Sequence, residues 1–104
     1  MNTHEVMSHL SATARRTLPD NGQAWLFGSR ARGTANSHSD WDILVIIDTD
    51  HISNDDYNNY AHPFMELGWD LNECIIPIIY TKKQWDKKYF SPFYKNVMND
   101  RIRL

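Results

Sequence analysis

The sequence predicts an α/β (α+β) protein in which a small mixed β-sheet is covered by helices. Three observations carry this prediction. Trp41–Ile47 (WDILVII) is an almost unbroken apolar, β-rich run, the pattern of a strand covered on both faces. Two more short apolar runs, Gln23–Phe27 and Glu73–Tyr80, have strand length. The segments around them show helical spacing and helix-capping residues.

Taken in order, Asn2 to Leu18 reads as a helix, because Val6, Leu10 and Ala14 recur at four-residue steps and Asn2 with Glu5 resembles a cap pair. Leu18-Pro19-Asp20-Asn21-Gly22 ends it and turns the chain. Gln23–Phe27 is the first strand, stopping at Gly28. Ser29–Gly33 is expected to form a helical first turn with Ser29 near its N-cap, and Thr34–Ser39 a polar loop. After Trp41–Ile47, Asp48–Asp55 is a polar turn region. Ser53 with Asp56 then opens an amphipathic helix bearing Tyr57, Tyr60, Ala61, Phe64 and Met65, with Gly68 as its expected stop. Pro63 breaks this pattern and demands either a kink or a fresh helical start. In the third strand Pro77 cannot donate to a ladder, which places that strand at an edge or a bulge. Thr81 with Gln84 forms a capping-box pattern, and Ser91-Pro92 opens a last helix over Phe93–Met98. Arg101–Leu104 carries no clear pattern.

The 104 residues, 41% of them apolar, are expected to form one domain spanning 1–104 around one modest core. So small a core leaves a partner or homo-oligomerisation open. The net charge of −2 gives no sign of a nucleic-acid binder, and Arg30/Arg32 is the best local cationic pair. One cysteine, Cys74, excludes an internal disulfide and is expected to be a small buried hydrophobe. No apolar window spans a bilayer and no signal peptide is visible, so a cytoplasmic location without a membrane partner is expected.

Chemistry concentrates between Gly28 and Asp42. A glycine at a strand-to-helix junction lets backbone approach a ligand closely, and a helix start suits a phosphate. Arg30 and Arg32 add cations that can meet phosphate oxygens. Asp40 and Asp42, at i and i+2 on one strand, face the same way with backbones roughly 7 Å apart. Two adjacent carboxylates repel unless a cation lies between them, and hard oxygen ligands select Mg²⁺ or Mn²⁺.

Phe27-Gly28-Ser29-Arg30-Ala31-Arg32-Gly33, with a ten-residue spacer between Ser29 and Asp40-Trp41-Asp42-Ile43, resembles the DNA polymerase β-like nucleotidyltransferase superfamily. The local forms GSRARG and SDWD are similar to its minimal nucleotidyltransferase branch. The resemblance implies the polymerase β-like nucleotidyltransferase fold. It also implies Mg²⁺-dependent transfer of a nucleoside monophosphate, AMP from ATP, to a hydroxyl. Gly28 and Ser29 would then contact the triphosphate. Arg32 holds the family's arginine position and Arg30 its variable one, both counted as nucleotide-binding. Asp40 and Asp42 would be the metal-holding catalytic pair. A third carboxylate, which helps activate the attacking hydroxyl, is expected from the third strand, as Glu73 or, second, Asp70. The resemblance further implies a helical HEPN-type toxin as partner, adenylylated on tyrosine. The alternative is a catalytically weak nucleotide-binding antitoxin that neutralises its partner by direct binding.

Beside this site, His4, His9, His38, His51 and His62 read as surface residues, with His38 near enough in sequence to touch a nucleotide. Trp85, Tyr89, Phe90, Phe93 and Tyr94 crowd the C-terminal region, as packing or as an interface.

Overall fold

A computed structural model describes residues 1–104. Helix α1 runs Thr3–Thr17, with Asn2 Oδ1 accepting from the Glu5 N–H at 2.9 Å. It ends where Leu18 turns extended, since Pro19 disfavours helical geometry in the residue before it. Strand β1 (Gly22–Phe27) leads through the single turn α2 (Ser29–Arg32) and a loop to β2 (Trp41–Ile47). Next come α3 (Asn54–Asp56), a π-helical turn (Tyr57–Ala61), α4 (His62–Leu71), β3 (Ile75–Thr81), α5 (Lys82–Asp86), α6 (Pro92–Asp100) and β4 (Ile102–Arg103).

The sheet is mixed, in the order β3-β2-β1-β4. β1 runs antiparallel to β2, from Gly22↔Ile47 to Phe27↔Asp42. β2 and β3 are parallel, so the chain between them must cross over, through α3 and α4. β2 therefore sits inside the sheet with both faces covered, which explains its unbroken apolar sequence. Trp41, Ile43, Val45 and Ile47 pack with Val6, Leu10, Phe64 and Ile75 on the face covered by α1 and α4. Leu44 and Ile46 pack with Trp25, Phe27, Trp85 and Val97 on the face covered by α5 and α6. Burying such side chains contributes about 1.5–3 kcal/mol each.

The expected edge position of the Pro77 strand holds, since β3 has one neighbour. The Trp41 N–H donates to the Cys74 carbonyl, so by alternation Pro77 turns its missing N–H to the free side. The expected capping box at Thr81/Gln84 forms, and Ser53/Asp56, expected to open a helix, forms another.

Three expectations need correction, and the C-terminal tail, which carried no clear pattern, gains a strand. The amphipathic segment after Ser53 is not one continuous α-helix: a π-turn precedes a fresh start at His62, which places Pro63 in a first turn, where its missing N–H is harmless. Gly68 is not the stop. The helix ends at Asn72, which takes the left-handed conformation (φ 54°). Gly68 instead allows close packing, since a Cβ there would lie 2.7 Å from the Glu73 carbonyl. Cys74 is exposed, because it precedes β3 and lies on the strand's open face. In the tail, strand β4 pairs Ile102 with Leu26 and Arg103 with Trp25. No helix is long and apolar enough to cross a membrane.

Candidate active site

The site forms where β1 ends and β2 begins. Register pairs Phe27 with Asp42, so the residue after Phe27 must pass directly over the Asp42 carboxylate. Only glycine fits there. Gly28 has φ 78°, a region that disfavours other residues, and a Cβ on it would lie 2.5 Å from Asp42 Oδ2. Gly28 also caps α2, its carbonyl accepting from the Ala31 and Arg32 N–H groups, and Ser29 follows as the first helical residue.

The loop to Asp40 is held by its own polar groups. Asn36 Oδ1 accepts from the His38 N–H at 2.8 Å, and Ser39 Oγ accepts from the Asn36 N–H at 3.0 Å. Arg30 closes the loop from inside. Its Nε and Nη2 donate to the Ser39 carbonyl at 3.3 and 3.0 Å, and its guanidinium stacks 4.5 Å from the Trp41 ring centroid. Arg30 thus positions Asp40 rather than reaching outward. Arg32 ion-pairs with Asp100 at the end of α6 and keeps about half of its side chain exposed.

Asp40 is exposed and Asp42 half-buried. The Asp42 carboxyl is held above its ordinary range, first by burial, then by the Asp40 charge, against a downward pull from Arg32. An added cation would relieve that repulsion. Both donors are carboxylate oxygens, a set that would suit a hard divalent cation such as Mg²⁺. No third His, Cys, Asp or Glu joins them to complete a protein-only ligand group.

The structure does not bring the expected third acid to the pair. Register places Ile76 beside Asp42, and by continuation Cys74 beside Asp40. Glu73 falls on the other parity and points to the opposite face, where its Oε2 accepts from Trp41 Nε1 at 3.3 Å. Asp70 lies exposed on the last turn of α4. Cys74, by contrast, is on the side of Asp40, whose carboxylate, more than burial, raises the thiol pKa. An open hollow of about 720 Å³ lies along this edge of the sheet, with Trp69, Asn72, Glu73, Cys74 and Ile76 among its walls. Sequence reading missed Cys74 and Ile76 as neighbours of the site. Only the pairing register identifies them, and a single sequence does not print its register.

The nucleotidyltransferase domain profile matches residues 7–104, nearly the entire chain. The chain belongs to the nucleotidyltransferase domain family. As a nucleotidyltransferase it also shares its fold with solved structures. One, described as a toxin–antitoxin with AMP-PNP, has 18% identity, covers 99% of this chain and 72% of its own, and superposes with a TM-score of 0.59. A tyrosine-to-alanine mutant of the toxin–antitoxin MntA-HpeT has 17% identity, 94% and 69% coverage, and a TM-score of 0.59. A double Asp-to-Glu mutant of the same pair gives 16%, 99% and 72%, and 0.61. No curated protein matches the sequence.

Proposed function

We propose that this nucleotidyltransferase binds ATP with Mg²⁺ and transfers AMP to a hydroxyl, the acceptor being a tyrosine of a helical HEPN-type toxin in the cytoplasm. The observation that carries the proposal is the seat of Gly28 over Asp42. A backbone able to take a triphosphate touches the carboxylate that would hold its metal. The likeness to a toxin–antitoxin with AMP-PNP supports both the nucleotide and the partner.

Each residue then has a role. Gly28 and Ser29 hold the triphosphate against the sheet end. Asp40 and Asp42 hold Mg²⁺, which, when bound, neutralises charge building on the phosphate oxygens. Arg32, whose charge acts on Asp42, offsets the leaving pyrophosphate's charge. Arg30 keeps Asp40 in place through Ser39. The acceptor oxygen attacks the α-phosphorus, the bond to pyrophosphate breaks, and pyrophosphate leaves with the electron pair. The hydroxyl proton must go to solvent or to a group on the partner, since no third carboxylate of this chain lies beside the pair.

That last point favours a second reading, a nucleotide-binding antitoxin that transfers weakly and neutralises its partner by binding. Ile76 and Cys74 fill the sheet positions next to Asp42 and Asp40 where a base would act. The test is incubation with α-labelled ATP, Mg²⁺ and the toxin partner, resolved on a gel. Label on the partner that disappears in Asp40→Ala/Asp42→Ala supports transfer. A stable, unlabelled complex with the partner inhibited supports the second reading.

A further inference from the structure

The net charge of −2 hides a strong segregation. Residues 82–104 carry seven Lys and Arg against two acids, while residues 1–81 carry four against eleven. Both acids of the basic part are already paired, Asp86 with Lys82 at 2.9 Å and Asp100 with Arg32. Its cations are therefore largely uncompensated. Such asymmetry between parts of one chain points to a polyanion.

The basic part also presents aromatic rings to solvent. Tyr89 is 68% and Phe90 71% exposed, stacked edge-to-face at 5.7 Å beyond the C-terminus of α5. Next to them is a hollow of about 440 Å³ lined by Tyr80, Gln84, Lys87, Lys88, Phe90 and Ser91. Its volume suits one nucleotide. Two rings flank it, and Lys88 Nζ stands 5.0 Å from the Tyr80 ring centroid. Gln84 spends its carbonyl on the Thr81 N–H at 2.9 Å, which leaves its amide N–H groups as donors.

From this geometry we propose that the α5–α6 corner binds a single-stranded polynucleotide, seating one nucleotide in the hollow. The base stacks on Phe90 with Tyr80 as a wall of the hollow, and Lys87 and Lys88 take the flanking phosphates. Exposed rings among lysines form the general pattern of single-strand binding surfaces. A protein partner fits less well, because protein interfaces are depleted in lysine. A free nucleotide would need only the hollow, whereas residues 82–104 carry five more cations than acids. The surface shares a sheet face with Asp42. Tyr80 pairs with Ile46, four residues along β2 from Asp42, or roughly 13 Å. The inference is independent of what the carboxylate pair transfers.

The test is fluorescence anisotropy of the full chain with a labelled single-stranded RNA of about 12 nucleotides, at several salt concentrations. Binding is expected, weakening with salt. Phe90→Ala should lower affinity about tenfold, as loss of one stacked base does. Lys87→Gln/Lys88→Gln should flatten the salt slope by about 0.7 for each phosphate that is no longer neutralised. Asp42→Ala should leave RNA binding unchanged while ATP binding falls, which separates this site from the triphosphate site. Absence of binding at low salt would overturn the proposal. So would competition by polyglutamate equal to that by unlabelled RNA, or affinity unchanged in Phe90→Ala, since either means a surface that reads charge alone. Displacement of the RNA by ATP in the wild type that is lost in Asp42→Ala would assign it to the carboxylate site and overturn the proposal as well.

Discussion

The two flanks of β2 treat the carboxylate pair differently. On the β1 side, Gly28 lies so close to Asp42 that no side chain fits between them, and Arg30 and a set of turn hydrogen bonds hold the loop to Asp40. On the β3 side, the neighbours are an isoleucine 40% exposed and a thiol, bordering an open hollow. The flank assigned to triphosphate and metal is built to fit, and the flank left for the acceptor is bare. On the proposed reading, the β1 flank holds the nucleotide and the β3 flank is left to the acceptor.

The largest break in this comparison is expected from Asp42→Ala. It removes the carboxylate under Gly28, and labelled transfer should fall by about three orders of magnitude, the scale for losing a group that stabilises transition-state charge. Unchanged transfer would move the site elsewhere. Ile76→Asp tests the bare flank. A carboxylate beside Asp42 should raise single-turnover transfer by about 10²-fold, the lower range for a positioned base. No gain would mean that the proton already has an acceptor. Gly28→Ala should cost about 1–2 kcal/mol from the positive φ alone, before the clash with Asp42, and so lower the Tm by several degrees in calorimetry. Arg30→Ala should cost about 1 kcal/mol in the same measurement and weaken metal binding through a looser loop, with triphosphate binding otherwise kept.

The smallest effect concerns pH. Asp42 is held above its ordinary range by burial and by Asp40, so the folded protein binds that proton more tightly than the unfolded chain. Its contribution to stability should therefore grow as pH falls through the raised folded pKa and level off below the unfolded one. The acid limb of Tm against pH should be shallower for wild type than for Asp42→Asn, in which this compensating proton uptake is absent. Mg²⁺ should lower the Asp42 pKa and remove the difference.

Much of this was legible in the residues. WDILVII announced a strand buried on both faces, Ser53/Asp56 and Thr81/Gln84 announced their caps, and Pro77 announced an edge. Gly28-Ser29 and Asp40/Asp42 at their spacing marked the candidate site, and the structure brings Gly28 against Asp42. What was not legible depended on pairing. Whether Glu73 or Ile76 lies next to Asp42 turns on one residue of register, and a shift of one reverses every face. The exposure of Cys74 followed from the same count. The basic corner was present in the sequence but averaged away by the acids of the first 81 residues.

The π-helical turn at Tyr57–Ala61 has a consequence for ancestry. Its His62 N–H reaches back five residues to the Tyr57 carbonyl, so the turn holds one residue more than an α-turn would. Such a turn can take up a single-residue insertion without breaking the helical run. Relatives without it should align here with a one-position gap and run an uninterrupted helix into the α4 segment. They should also lack proline at the position of Pro63, because an unbroken helix would need the N–H that proline does not have.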